Sequence, residues 1–182
     1  TIKKWKAWQQ QSNEFGFKFN RRVVKTGLFP NGSGVVIEKG LIVTNFHVIS
    51  DAFNQNQELI VENHLGKTVK TQILGFDSEA DIAVLGIIDS IDLKPFKIRK
   101  NIDQVKVGES VIAIGNPQGL GQSFSKGIVS AINRTFQDKK GNFIQTDASI
   151  NPGNSGGALI DDKGRLLGVV NVIRSTSGGN QG

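Results

Sequence analysis

Ser155 lies in the run Asn151-Pro152-Gly153-Asn154-Ser155-Gly156-Gly157, between two stretches that read as strands, Phe143 to Thr146 and Ala158 to Ile160. A nucleophilic serine needs its hydroxyl projecting from a turn, with backbone N–H groups aimed at the same point in space. Gly153, Gly156 and Gly157 supply the freedom such a turn requires, because glycine takes positive φ at no steric cost. A phosphate cradle is the competing reading, but no lysine follows the glycines and no helical pattern begins after them. The choice turns on whether a base and an orienting carboxylate stand upstream. Leu41 to Asn45 reads as a buried strand that delivers His47 at its end, and Asp81 stands at the mouth of the apolar run Ile82-Ala83-Val84-Leu85. In the order histidine, aspartate, serine, these three could act as base, orienting acid and nucleophile in acyl transfer.

Each residue also has a plainer reading. A histidine after an apolar strand is more often structural, and His47 departs from that only through its partners. His64 has no such partners and is assigned to the surface. Asp77, Glu79 and Asp81 could form one acidic turn, and only the strand that follows Asp81 singles it out. Asn31-Gly32-Ser33 and Asn133-Arg134-Thr135 match the glycosylation pattern, a short motif with many chance matches.

Three segments, Thr44-Asn45-Phe46-His47-Val48-Ile49, Asp81-Ile82-Ala83-Val84-Leu85 and Gly153-Asn154-Ser155-Gly156-Gly157, resemble the HtrA (Deg) family of trypsin-like serine proteases. Gly115 to Gln122, Gly127-Ile128-Val129-Ser130 and Ile144-Gln145-Thr146-Asp147-Ala148 are similar to the same family's middle region. The resemblance covers residues from Gly32 to Gly182. It implies a chymotrypsin/trypsin-like double β-barrel with the active site in the cleft between barrels. It further implies a serine endopeptidase that cleaves unfolded or damaged proteins and switches between resting and active states. In that reading Ser155 attacks the scissile carbonyl, His47 takes and returns the proton, and Asp81 fixes the imidazole tautomer. The N–H groups of Gly153 and Ser155 would form the oxyanion hole. No metal or cofactor is required. Free histidine titrates near ~6.5, so the activity is expected to rise from mildly acidic to neutral pH.

The resemblance also frames specificity. The position six before the nucleophile, on the floor of the primary pocket in trypsin-like enzymes, is the small, uncharged Ser149. A pocket lined by Ile150, Asn171, Val172 and Ile173 would favour small or medium aliphatic side chains, with extended substrate pairing along a strand edge near the serine loop or near Asn171. The alternative class of function is a peptide-binding or chaperone-like module with an inactive or incompletely formed protease site. Presence of all three reactive residues argues against it.

The elements that must position these residues are short. Val35 to Ile37, Leu41 to Val43, Leu59 to Val61, Lys67 to Leu74 and Asp81 to Ile88 read as strands of one half. Lys94 to Asp103 reads as a connection, and Val111 to Ile114, Ser123 to Ile132, Phe143 to Thr146, Ala158 to Ile160 and Leu166 to Ile173 as strands of a second half. Asp161-Asp162-Lys163-Gly164 is a hairpin turn with glycine at the αL position. Many short strands with almost no helical period indicate an all-β protein, sandwich or barrel. The expected division is an N-terminal aromatic segment at 1–31, one barrel at 32–98 bearing His47 and Asp81, and a second at 99–182 bearing Ser155. Trp5, Trp8, Phe15, Phe17 and Phe19 beside Lys3, Lys4 and Lys6 fit a short helix covering the barrel. The resemblance offers a sharper role for them, the clasp of a homotrimer. An interfacial membrane contact ranks last.

The chain has 182 residues, 37% hydrophobic and 21% charged, enough for a packed core. No cysteine is present, which excludes a disulfide framework and a thiol nucleophile. The formal charge of +6 raises nucleic acid as a partner, but the cations are scattered in pairs such as Arg21-Arg22 and no binding module accompanies them. Polypeptide substrates and an activating peptide are the expected partners instead. No signal peptide pattern is seen at Thr1, so a mature or trimmed chain is expected. By resemblance, a last barrel strand and a terminal helix would follow Gly182, no PDZ domain lies within these residues, and the compartment would be the bacterial cell envelope or a eukaryotic organelle.

Overall fold

The computed structural model describes residues 2–9, 24–88, 93–116, 121–136 and 139–171. Seven strands form one sheet: β1 (Ile2–Gln9), β2 (Val24–Gly32), β3 (Val35–Glu38), β4 (Leu41–Thr44), β5 (Leu59–Glu62), β6 (Thr68–Asp77) and β7 (Ile82–Ile87), in the spatial order β2-β1-β5-β6-β7-β4-β3. Five form the other: β8 (Ser110–Gly115), β9 (Ser123–Phe136), β10 (Lys139–Thr146), β11 (Ala158–Asp161) and β12 (Leu166–Val169), in the order β10-β9-β8-β11-β12. Every pairing within the two sheets is antiparallel. The protein is all-β with two sheets, as the strand pattern indicates.

Two elements differ from expectation. The segment holding Trp5 and Trp8 is a strand and not a short helix: β1 pairs with β2 on one side and with β5 on the other. Its fully buried Ile2 packs with Ile42, Ile49, Leu59 and Leu85 in the first core. The boundary expected at residue 31 falls inside β2, so 24–32 joins the first sheet. Pro30 lies in this strand, and β2 is a sheet edge, the place in a sheet where proline is tolerated. Phe15, Phe17 and Phe19 lie outside the described residues. The second difference is one nine-residue helix, α1 (Phe46–Asn54), so His47 sits in a first helical turn rather than at a strand end. Its Val48, Ile49 and Ala52 are buried in the first core, a spacing that fixes one face inward.

A second core gathers Val111, Ala113, Val129, Ala148, Leu159 and Leu167 within the five-stranded sheet. A third lies between the sheets, where Val35 of β3 meets Ala158 and Ile160 of β11 and Leu166 of β12, with Phe96 and Ile37 packed against them. The connection stitches the same seam. Phe96 N–H donates to Val36 O at 2.9 Å, Leu166 N–H to Lys97 O at 2.8 Å, and Arg99 N–H to Leu166 O at 2.9 Å. Segment 96–99 is therefore bonded to both halves. The hairpin at Asp161 forms as expected, with Gly164 at φ 72° and its N–H on Asp161 O at 3.0 Å.

Candidate active site

The histidine helix starts without a side-chain cap of its own. Asn45 occupies the N-cap position but its Oδ1 accepts no capping bond, while its Nδ2 donates to Asp81 O at 2.9 Å. The orphan N–H of the first turn is met from outside: Asp81 Oδ1 accepts the His47 backbone N–H at 2.9 Å. An anion at a helix N-terminus is favoured by the helix dipole as well. The other oxygen, Oδ2, faces His47 Nδ1 at 2.7 Å. One buried carboxylate thus fixes both the helix start and the imidazole. It holds the proton on Nδ1 and leaves Nε2 as the acceptor, the tautomer a general base requires.

Asp81 carries this role on an unusual backbone. Its φ is 56°, in the left-handed region that aspartate enters more readily than most residues. Asp81 is 3% exposed. Its carbonyl is held by Asn45 Nδ2 and by Phe46 N–H at 3.2 Å, which lock the conformation. A residue kept in a sparsely populated conformation by its neighbours is a mark of functional sites. The Phe46 ring stacks on Phe76 of β6 with centroids 4.4 Å apart, tying the start of α1 to the strand that leads into Asp81.

Ser155 is 7% exposed and belongs to the second half, yet its backbone is anchored to the first: Ser33 N–H donates to Ser155 O at 2.8 Å. Gly32 makes the approach close. A Cβ there would stand 2.8 Å from both Val48 γ-carbons and 3.1 Å from Ser155 O, so the residue after His47 and the serine turn meet over one glycine. Gly156 has φ 80°, and a Cβ there would fall on Ser33 O and Thr44 Oγ1. The turn is closed by Asn154 N–H on Asn151 O at 3.0 Å and Gly157 N–H on Asn154 O at 2.8 Å. Behind the serine, Gly156 N–H donates to Val170 O and Val170 N–H to Gly157 O, both at 2.8 Å. Gly153 has φ 98°. Among the described residues, neither Gly153 nor Ser155 donates its N–H to a backbone carbonyl.

The remaining expected residues are placed as follows. Ser149 is exposed, and its carbonyl accepts Ser125 Oγ at 2.7 Å. Half-buried Ile150 packs on the second core. Asn171 is half-buried, with Oδ1 lacking a partner among the described residues. Val172 and Ile173 lie outside the described residues. His64 is exposed. Reading the chain by residue type missed Ser33, Asn45 and Asn116, since their part is to hold backbone groups. All three stood inside quoted segments, Ser33 in Asn31-Gly32-Ser33, Asn45 beside the histidine and Asn116 in Gly115 to Gln122, but with no role given to them.

A family model for the trypsin-like peptidase domain matches residues 32–169. The chain is similar to the periplasmic pH-dependent serine endoprotease DegQ of Escherichia coli K12, with 43% identity over 155 residues, 83% of this chain and 33% of that protein. It is also similar to the periplasmic serine endoprotease DegP of Salmonella typhimurium LT2, with 41% identity over 155 residues, 83% of this chain and 32% of that protein. The chain spans about a third of the length of these curated relatives. Among solved structures, the HtrA-type protease AlgW with a decapeptide superposes with a TM-score of 0.84 at 36% identity, over 100% of this chain and 58% of that one.

Proposed function

The chain belongs to the trypsin-like peptidase family and has HtrA-type proteases as relatives, and from that premise we propose that it is a serine endopeptidase acting through Ser155, His47 and Asp81. The observation that carries the reading is the double hydrogen bond from His47 to buried Asp81, with the Ser155 turn anchored to the same sheet through Ser33. Ser155 Oγ attacks the scissile carbonyl as His47 Nε2 takes its proton, and the same nitrogen then protonates the leaving amine. Asp81 stabilises the imidazolium that forms between these steps. The N–H groups of Gly153 and Ser155 receive the oxyanion, each such donor contributing about 3–4 kcal/mol in a comparable serine protease.

The substrate is an extended stretch of unfolded or damaged polypeptide. Ser149 offers no charge at the pocket floor, and together with Ile150 and the 171–173 segment it favours a small or medium aliphatic residue before the cleaved bond. Val170 has both backbone groups engaged by the serine turn, so substrate pairing falls to the chain from Asn171 onward. Assembly as a homotrimer through the N-terminal aromatics, switching by an activating peptide, and a place in the bacterial envelope complete the reading. The last draws on relatives named as periplasmic.

Incubation with reduced, unfolded casein and mass spectrometry of the products tests it. Fragments ending in valine, alanine, leucine or isoleucine, absent with Ser155→Ala, are expected. Fragments ending in lysine or arginine would overturn the pocket, and equal cleavage by Ser155→Ala would overturn the nucleophile.

A further inference from the structure

Ser33, in the two-residue link between β2 and β3, is 4% exposed and uses every polar group it has. Its N–H donates to Ser155 O at 2.8 Å, and its carbonyl accepts Thr44 Oγ1 at 2.7 Å. Its hydroxyl donates to Gly153 O at 2.8 Å and accepts Asn116 N–H at 2.9 Å. The Asn116 bond occupies a lone pair of the hydroxyl, which leaves the proton for Gly153 O. Asn116 follows β8 of the second sheet, so the hydroxyl joins the two halves at the serine turn.

The position of that bond within the turn is what gives it meaning. The two N–H groups assigned to the oxyanion belong to the peptides 152–153 and 154–155. The peptide between them, 153–154, is held at both ends: its carbonyl by Ser33 Oγ and its N–H by Asn151 O at 3.0 Å. The flanking peptides hinge on this one through φ of Gly153 and ψ of Asn154, so a fixed 153–154 plane is the frame from which both are set. Clamping 153–154 therefore restrains both donors at once, and preorganised donors are what make such a hole effective.

We infer that Ser33 is a positioning residue for the acyl-transfer reaction, its hydroxyl holding the Gly153–Asn154 peptide so that the flanking N–H groups stay set for the oxyanion. The inference rests on the reading of Ser155 as nucleophile. It assigns the side chain a role separate from the fold, because the bonds from Ser33 N–H and to Ser33 O do not depend on the side chain and survive in Ser33→Ala.

Steady-state kinetics on a fluorogenic peptide amide with an aliphatic residue before the cleaved bond, with melting temperatures alongside, test this. In Ser33→Ala, kcat should fall about 10–100-fold, less than the roughly 10²–10³ from losing a donor outright. KM should stay within about twofold, the signature of an interaction made in the transition state. Ser33→Thr, which restores the hydroxyl, should recover most of kcat. A peptide aldehyde of the same sequence, whose tetrahedral adduct places an oxygen in the hole, should bind Ser33→Ala more weakly by a similar factor, while the matching peptide acid binds both proteins equally. An unchanged kcat in Ser33→Ala would overturn the inference. So would a fall in kcat that tracks the melting temperature and is not restored by threonine. Turnover by Ser155→Ala equal to the unaltered protein would remove the underlying reading first, which keeps the two failures distinct.

Discussion

Asp81 has three tasks: it completes the first turn of α1 through Oδ1, sets the imidazole through Oδ2, and takes a left-handed backbone to do both. Asp81→Asn separates them. The amide retains one acceptor for the His47 N–H, but presents NH₂ to Nδ1 and so stabilises the tautomer with its proton on the wrong nitrogen. The expected result is a fall in kcat of about 10⁴-fold with the helix intact, by analogy with the same exchange in the template triad. A loss under about tenfold, measured with Ser155→Ala as the background, would contradict this assignment. At this scale the sequence was most legible where a residue type declares its chemistry. Histidine, aspartate and serine do, and each stood beside an apolar run that located it. Ser33 did not, because its meaning depends on the carbonyls of Gly153 and Ser155, far along the chain and brought near only by folding.

Among elements, β11, β12 and the connection share one charged knot. Arg99 Nη1 meets Glu109 Oε2 at 2.6 Å, Arg165 Nη2 meets Asp161 Oδ2 at 2.7 Å, and Arg99 lies 3.8 Å from Asp161. Burial alone would push the Asp161 carboxyl up, but the Arg165 and Lys163 N–H groups and the Arg165 guanidinium hold it below the usual value on balance. The hydrogen bond from Arg99 lowers Glu109 in the same sense. A carboxylate with a depressed folded-state pKa contributes stability that is present above its unfolded value, near ~4, and is lost as pH falls through the folded value. The melting temperature should therefore drop below about pH 4. In Asp161→Asn the folding free energy at pH 7 should be smaller, by somewhat less than the ~3–5 kcal/mol of breaking a fully buried pair, since Arg165 is partly exposed. The variant's acid limb should be flatter, and parallel acid limbs in the two proteins would contradict the knot's role. The strands on either side of this knot were readable from alternation and from the Asp161–Gly164 turn. β1 was not: Trp5 and Trp8, three apart among lysines, suit a helix locally, and pairing with β2 and β5 overrides that preference. Pro30 likewise hid β2, whose place at the sheet edge makes the proline tolerable.

At the scale of the whole molecule, the seam between the sheets is apolar at Val35, Ala158, Ile160 and Leu166 and hydrogen-bonded through segment 96–99. The three residues proposed to react straddle it, with His47 and Asp81 on one side and Ser155 on the other, so the proposed site needs both halves folded together. Such a seam couples their unfolding. Both tryptophans lie in β1, so their fluorescence follows the first sheet, while far-ultraviolet circular dichroism follows both. The two denaturation midpoints should coincide, and Leu166→Ala, which opens the shared cluster, should lower both together. Separated midpoints in the unaltered protein would contradict a coupled seam. Two halves were legible from strand spacing, but their joint was not, since Ile98 and Leu166 pair across a distance that no local pattern marks.

Whether these two halves assemble a working nucleophile at Ser155 is decided by a fluorophosphonate probe with adduct mapping by mass spectrometry. One adduct is expected, on Ser155, lost in Ser155→Ala and strongly slowed in His47→Ala and Asp81→Asn. Labelling of Ser155 at the same rate without His47 or Asp81, or an adduct on another serine of the folded protein, would contradict it.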